Sequence, residues 1–140
     1  MTSRPFSAIA ADANVLMSAA LGGAARRVFV RAPWLTVVTT DWNASEAVEH
    51  LPEVALKRGL SARSLLGTFE RLPVTIHTPE RYVVAMPKAL RMMADRDRDD
   101  ANLLALALTL SVPIWSNDPH LSGLPVTVYP TAVLLKVLGL

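Results

Sequence analysis

Short apolar runs alternate with amphipathic stretches from one end of the chain to the other. Phe6-Ser-Ala-Ile-Ala-Ala11 ahead of Asp12 has the length and continuity of a strand buried on both faces, so residues 6 to 12 are predicted as a strand. Helical segments are predicted at about 14 to 20 and 23 to 31. Pro33 separates them from Leu35-Thr-Val-Val-Thr39, whose β-branched content predicts a second strand. Thr40 stands where an N-cap belongs, with Asp41 in the first turn and Gly59 at the far end, which predicts a helix to about Arg58 that Pro52 kinks or divides in two. Ser61 caps a further helix to Leu72, and Pro73 precedes a short strand, Val74-Thr-Ile-His77.

The second half repeats the alternation. Residues 80 to 95 are mostly helical, with a break expected at Pro87. Asp97 or Asp99 is expected to cap the most regular helix of the chain, about 99 to 111, which carries Leu103, Leu104, Ala107 and Leu110 on its apolar face. Pro113 ends it. Ile114-Trp-Ser116 and Val126-Thr-Val-Tyr129 are predicted as the last two strands, and a helix from about Thr131 closes the sequence. Strands separated by helices predict an α/β domain: a three-layer α/β/α sandwich around a central, mostly parallel sheet.

That architecture says where chemistry would lie, because open parallel sheets bind ligands beyond the carboxyl ends of their strands. Asp12 follows the first predicted strand and Asp118 the fourth. They become near neighbours if those two strands are adjacent.

Composition narrows the class further. At 140 residues the chain is expected to be one domain, 1–140, long enough to bury most of its apolar surface. The hydrophobic fraction of 51% and the lack of repeats or low-complexity tracts argue against extended disorder. The absence of cysteine removes disulfides, thiolate zinc sites and a cysteine nucleophile at once. The apolar residues after Arg4 resemble a signal peptide, but Asp12 and Asn14 interrupt them. Leu103 to Trp115 is far short of the roughly 20 residues of a bilayer span. The expectation is a soluble, cytoplasmic protein that makes no use of a membrane.

Net charge is only +2, with a sequence pI near 9.4. The basic residues gather locally at Arg26-Arg27-Arg31, Lys57-Arg58-Arg63 and Arg91-Arg96-Arg98. Ordinary solvated helix faces explain such groups; fringing an acidic site, they would hold a polyanion over it.

Four acids are the candidate chemistry: Asp12, Glu46, Asp100 and Asp118, at strand ends or on helices between them. Two carboxylates about 4 Å apart repel by roughly 4 kcal/mol at an effective dielectric near 20, so a cluster of four asks for a counter-charge. Mg²⁺ or Mn²⁺ supplies it, as hard cations that take carboxylate, water and phosphate oxygens. Dispersed His50, His77 and His120 make a poor zinc site. The four acids are expected to be direct or water-mediated ligands of one or two ions.

Asp12-Ala-Asn-Val-Leu16 after the first strand, Glu46 on the helix opened by Thr40, Asp97-Arg-Asp-Asp100 leading into Ala-Asn-Leu-Leu-Ala-Leu-Ala107, and Ser116-Asn-Asp118 together resemble the PIN-domain nucleases, in the right order over nearly the whole chain. Val-Tyr-Pro-Thr-Ala132 also resembles the close of many such domains. The resemblance implies a metal-dependent ribonuclease acting on RNA. It also implies, as in many bacterial members, the VapC-like toxin of a toxin–antitoxin pair, with an antitoxin protein and a homodimer as partners. Asp100 is preferred to Asp97 or Asp99 as third ligand because it has the family's spacing ahead of Leu103. Ser116 stands where the family often has Thr or Ser. The Pro119-His120-Leu121 after Asp118 departs from the family, where another polar or acidic residue often follows the fourth acid.

Each neighbouring residue has a plainer role beside the functional one. Asn14 and Ser116 would orient Asp12 and Asp118, or Asn14 would cap the next helix. Asp97 is a helix cap or the reserve ligand. Glu49 assists Glu46 or is a surface glutamate. His120 contacts RNA, carries protons or is merely exposed. Trp34, Trp42 and Trp115 would stack on bases, but core packing is the expectation for Trp42 and Trp115. The same residues admit two other readings: a catalytically weak PIN-like module binding RNA or protein, and a receiver-like phosphoryl-transfer domain. The second lacks Asp-x-Asp after the first strand, a strand-end Lys and a Gly-rich phosphate loop.

Overall fold

The computed structural model describes residues 4–93 and 96–140, with the side chain of Asp99 left out. Among these residues β1 (Ala8–Ala11), β2 (Thr36–Thr40), β3 (Val74–His77), β4 (Ile114–Trp115) and β5 (Val128–Tyr129) form one sheet in the order β3-β2-β1-β4-β5. Every pairing is parallel, with Ile9 opposite Val37, Ala11 opposite Trp115 and Thr40 opposite His77. Strands 1 and 4 are therefore neighbours at the centre. The two ends that carry Asp12 and Asp118 lie side by side.

Period-two alternation sorts the strand residues between two cores. Ile9, Ala11, Val37 and Trp115 face one layer: α1 (Ala13–Ala20), α2 (Ala24–Arg31), α3 (Asp41–Arg58), α4 (Ala62–Glu70) and α8 (Thr131–Val137). Ala10, Val38 and Ile114 face the other, built from α5 (Pro79–Tyr82), α6 (Met86–Met92) and α7 (Ala101–Leu110). This is the three-layer α/β/α sandwich of the sequence reading. Apolar helices such as α7, whose Ala101 and Leu103 to Ala107 are all buried, can exist only between layers of this kind.

Several expectations need correction. Pro52 does not divide α3, which runs unbroken through it. The proline sits on the exposed side while Leu51 and Ala55 are buried, so its ring stands clear of the packed face. Neither Asp97 nor Asp99 is the N-cap of α7; Asp100 holds that position, and its side chain makes no capping bond. A 3₁₀ turn at Arg98–Asp100 feeds straight into the helix, leaving Asp100 already in helical backbone rather than the extended conformation a side-chain cap needs. Strand β1 starts at Ala8, since Phe6 leaves the ladder to stack on Tyr129 with ring centroids 5.5 Å apart. The last two strands are each two residues long.

The ends of α3 agree with the sequence reading. Thr40 accepts the Asn43 N–H at 2.9 Å, and Gly59 ends the helix at φ 66°, a left-handed conformation that costs a residue with a Cβ about 1 kcal/mol. Those two residues fix where α3 begins and ends, and Thr40 thereby sets where Glu46 stands.

Candidate carboxylate site

Asp12 follows β1 directly and is itself the N-cap of α1: its Oδ1 accepts the Val15 N–H at 2.8 Å. Its Oδ2 accepts the hydroxyl of Ser116, from the end of β4. The same Ser116 oxygen accepts the backbone N–H of Asp118 at 3.0 Å. One buried hydroxyl thus ties the two strand-end acids together, and each oxygen of Asp12 keeps lone-pair capacity for another ligand. Burial raises the pKa of Asp12, with Ser116 and the Val15 amide pulling it down and the charge of Asp118 raising it again.

Asp118 is half-buried and caps a 3₁₀ turn over Pro119–Leu121, accepting the His120 N–H at 2.9 Å. The His120 ring lies with Nδ1 3.2 Å from Asp118 Oδ1. Arg96 reaches across from the α6–α7 connection, donating to the carbonyls of His120 at 2.5 Å and Ser122 at 2.7 Å. Gly123, at φ 82°, lies close beneath the guanidinium. Arg96 therefore fastens the loop after Asp118 to the segment that carries Asp97 and Asp100.

Asp100 shows most directly that the acids converge. Its pKa is pushed up to about 6, first by burial and then by the charges of Asp97, Asp118, Asp12 and Glu46. Those carboxylates come from β1, α3, the α6–α7 connection and the loop after β4, so only the folded sheet brings them to one side chain. Of the charges, Asp97 acts most strongly. It is exposed, and its carbonyl accepts the Asp100 N–H at 3.2 Å. Glu46 is half-buried in the second turn of α3. Among the described residues, no three Asp, Glu, His or Cys side chains are already gathered closely enough to hold a metal ion. The convergence among the described residues is therefore one of charge rather than of close contact.

The remaining expected residues are spread more widely. Asn14 is exposed on α1 and lines a groove with Met17, Ser18 and Arg58; no hydrogen bond joins it to Asp12 or Asp118, and the capping role expected of it belongs to Asp12. Glu49 lines an apolar pocket between α3, α4 and β3 instead. Trp115 is fully buried, donating to Thr131 Oγ1 at 2.9 Å. Trp42, expected in the core, is 48% exposed, because the buried stripe of α3 runs through Asn43, Ala44, Ala47, Leu51 and Ala55 and leaves position 42 outside it. Of the basic groups, Arg26 is committed to the Ala19 and Ala20 carbonyls and Lys57 to Glu53.

Two features escaped the sequence reading. Arg96 was seen only as one cation among three, and Tyr82 was not singled out. The buried Tyr82 donates its hydroxyl to Asp41 Oδ1 at 2.7 Å, and burial with this bond raises its pKa. Both act between segments distant in sequence, where no local signal points to them.

Against known proteins, the family model of the PIN domain matches residues 10–135. The chain belongs to the PIN-domain family. The match begins inside β1 and ends inside α8, so it spans all four acids, the end of β1 and the other four strands of this PIN domain. No curated protein matches the sequence significantly. Membership makes the protein nuclease-like in general terms, of a family that works on nucleic acid with divalent metal ions. No helix among the described residues is long and apolar enough to cross a membrane.

Proposed function

We propose that this PIN domain hydrolyses RNA phosphodiester bonds with Mg²⁺ or Mn²⁺, and that it is the toxin of a toxin–antitoxin pair. The observation that carries the nuclease reading is the response of Asp100 to Asp12, Glu46, Asp97 and Asp118 at the carboxyl edge of the sheet. Burying mutually repelling carboxylates is unfavourable unless a cation offsets them. The donor set is all oxygen, which fits a hard divalent ion and excludes a thiolate site. The toxin role and a homodimer rest on the sequence resemblance, and a cytoplasmic location rests on the composition.

Asp12, Glu46, Asp100 and Asp118 would hold one or two ions, and the metal would supply an activated water and charge neutralisation at the phosphate. The chain's own residues prepare that site. Ser116 fixes the plane of the Asp12 carboxylate through Oδ2 while the Val15 amide holds Oδ1, so neither oxygen must reorient to bind a ligand. Asp100, half-buried and carrying a proton up to about pH 6, is ionised at neutral pH and draws a cation in. His120 beside Asp118 restrains that carboxylate from the solvent side.

The test is cleavage of a mixed RNA pool by the purified protein with Mg²⁺, with Mn²⁺ and with EDTA, alongside Asp12→Asn. Metal-dependent cutting that disappears in the variant is the expected result. Asp100→Asn is expected to lose more activity than Asp97→Asn or Asp99→Asn. A folded protein that binds RNA but cuts nothing in either metal would make it a binding module. For the toxin role, growth arrest on expression and its relief by a small protein encoded beside it is the expected outcome.

A further inference from the structure

Trp42 lies outside the buried stripe of α3. It is half exposed in the first turn of α3, on the side of the helix away from the core, and Asn43 and Ala44 beside it already supply the buried contacts. Position 42 is four residues before Glu46, which places the two side chains as neighbours on one helix face, about 5–6 Å apart at Cβ. His50, four residues further on, continues the same face. The indole therefore stands one turn from a carboxylate whose charge is felt at Asp100.

The turn that carries it is braced. Thr40 Oγ1 accepts from the Asn43 backbone at 2.9 Å and donates to Asn43 Oδ1 at 2.5 Å. Asp41 accepts from the buried Tyr82 hydroxyl at 2.7 Å. A rigid, exposed ring loses little freedom when something packs on it, which favours binding. The helical neighbours of Trp42 three and four residues on are Ser45 and Glu46, both polar. Helix α3 itself thus adds no apolar neighbour to the ring on that face.

We propose that Trp42 is a base-stacking subsite that receives an unpaired nucleobase flanking the phosphate held at the carboxylates. The inference rests on the ribonuclease reading and adds to it a subsite at Trp42 for one unpaired base, since only such a base offers its face to an indole.

Binding of a short fluorescent oligoadenylate would be measured by anisotropy, in EDTA and again with Mg²⁺ in an Asp118→Asn background, so that nothing is cut. Intrinsic tryptophan emission would be followed in the same titration. Trp42→Ala is expected to weaken binding roughly 5- to 100-fold and to abolish the quenching, whereas Trp42→Phe recovers most of the affinity and Trp34→Phe keeps both. A duplex of the same strand is expected to bind Trp42→Ala and the parent alike. Trp42→Ala also gives up the half of the indole that is buried and should melt somewhat below the parent, so binding is compared where both are folded, with Trp42→Phe as the control that keeps a ring. Equal affinity of Trp42→Ala and parent for the single strand, with RNA cutting intact in the native protein, would overturn the stacking subsite and leave the nuclease standing. No binding by either protein and no cutting would overturn both.

Discussion

Ser116 shows how one hydroxyl can set a site. It donates to Asp12, accepts from the Asp118 amide and is buried, so its removal frees two strand-end segments at once. Ser116→Ala is expected to cost about 1 kcal/mol of stability and roughly 10- to 100-fold in metal affinity or cleavage. Mn²⁺ titration beside a melting curve separates the two effects, and activity lost only in proportion to unfolding would mark the serine as purely structural. Asp100 gives a pH-dependent prediction. The unfolded carboxyl releases its proton near 3.8, the folded one near about 6. A group with a raised folded pKa stabilises the fold fully below the unfolded value, and that contribution is lost as pH climbs through 6. Metal-free Asp100→Asn should therefore melt above wild type at pH 7 to 8, with the gain vanishing near pH 4. Discounted for half exposure, the gain is on the order of 1 kcal/mol, or roughly 3–5 °C.

The elements owe their positions to their ends. α1 begins on Asp12 and α3 on Thr40, so the residues that start these helices also place Asp12 and Glu46 at the same edge of the sheet. α7 lacks a side-chain cap, and the acid at its N-terminal boundary keeps its oxygens for other partners. At its other end Ser111 adopts the left-handed conformation at φ 55° without being glycine, closing the helix two residues before Pro113. Arg96 joins two elements that no strand or helix joins. Its bonds to the His120 and Ser122 carbonyls hold the loop beyond Asp118, and Arg96→Ala is expected to raise amide exchange across residues 119–123. Activity should fall about 10-fold through misplacement of Asp118, with Arg96→Lys recovering part of it. Unchanged exchange in that loop would remove the clamp from the account.

For the whole molecule, the proposed metal binding would be linked to folding. The acids come from both helical layers and from the sheet between them, so an ion that binds them binds only the folded chain. Adding Mg²⁺ or Mn²⁺ should raise the melting temperature, more at pH 7.5 than at pH 5, where Asp100 still carries its proton; at 100-fold excess over Kd the gain is about 2.7 kcal/mol. The rise should be absent in Asp12→Asn. An equal rise in that variant would place the metal elsewhere.

The sequence by itself determined what is local and repetitive. Alternating apolar runs of two periods give the order of strands and helices, and Thr40, Gly59 and Ser61 mark ends that the structure keeps. Asp12 and Asp118 stood out because a carboxylate after a buried strand is conspicuous in an apolar chain, and Glu46 and Asp100 because they complete the resemblance to the PIN-domain nucleases. Tertiary structure decided the rest. Whether Trp42 is buried depends on which side of α3 meets the sheet, and a residue outside a stripe of Asn43, Ala44, Ala47, Leu51 and Ala55 cannot be placed from composition. The capping role of Asp12, the clamp at Arg96 and the Tyr82–Asp41 bond involve backbone geometry or partners up to 41 positions apart. The common charge at Asp100 exists only because β1 lies beside β4. Local patterning is written by short-range sterics and hydrogen bonding along the chain, whereas contacts across layers come into being only when burial of both apolar faces fixes the layers against each other.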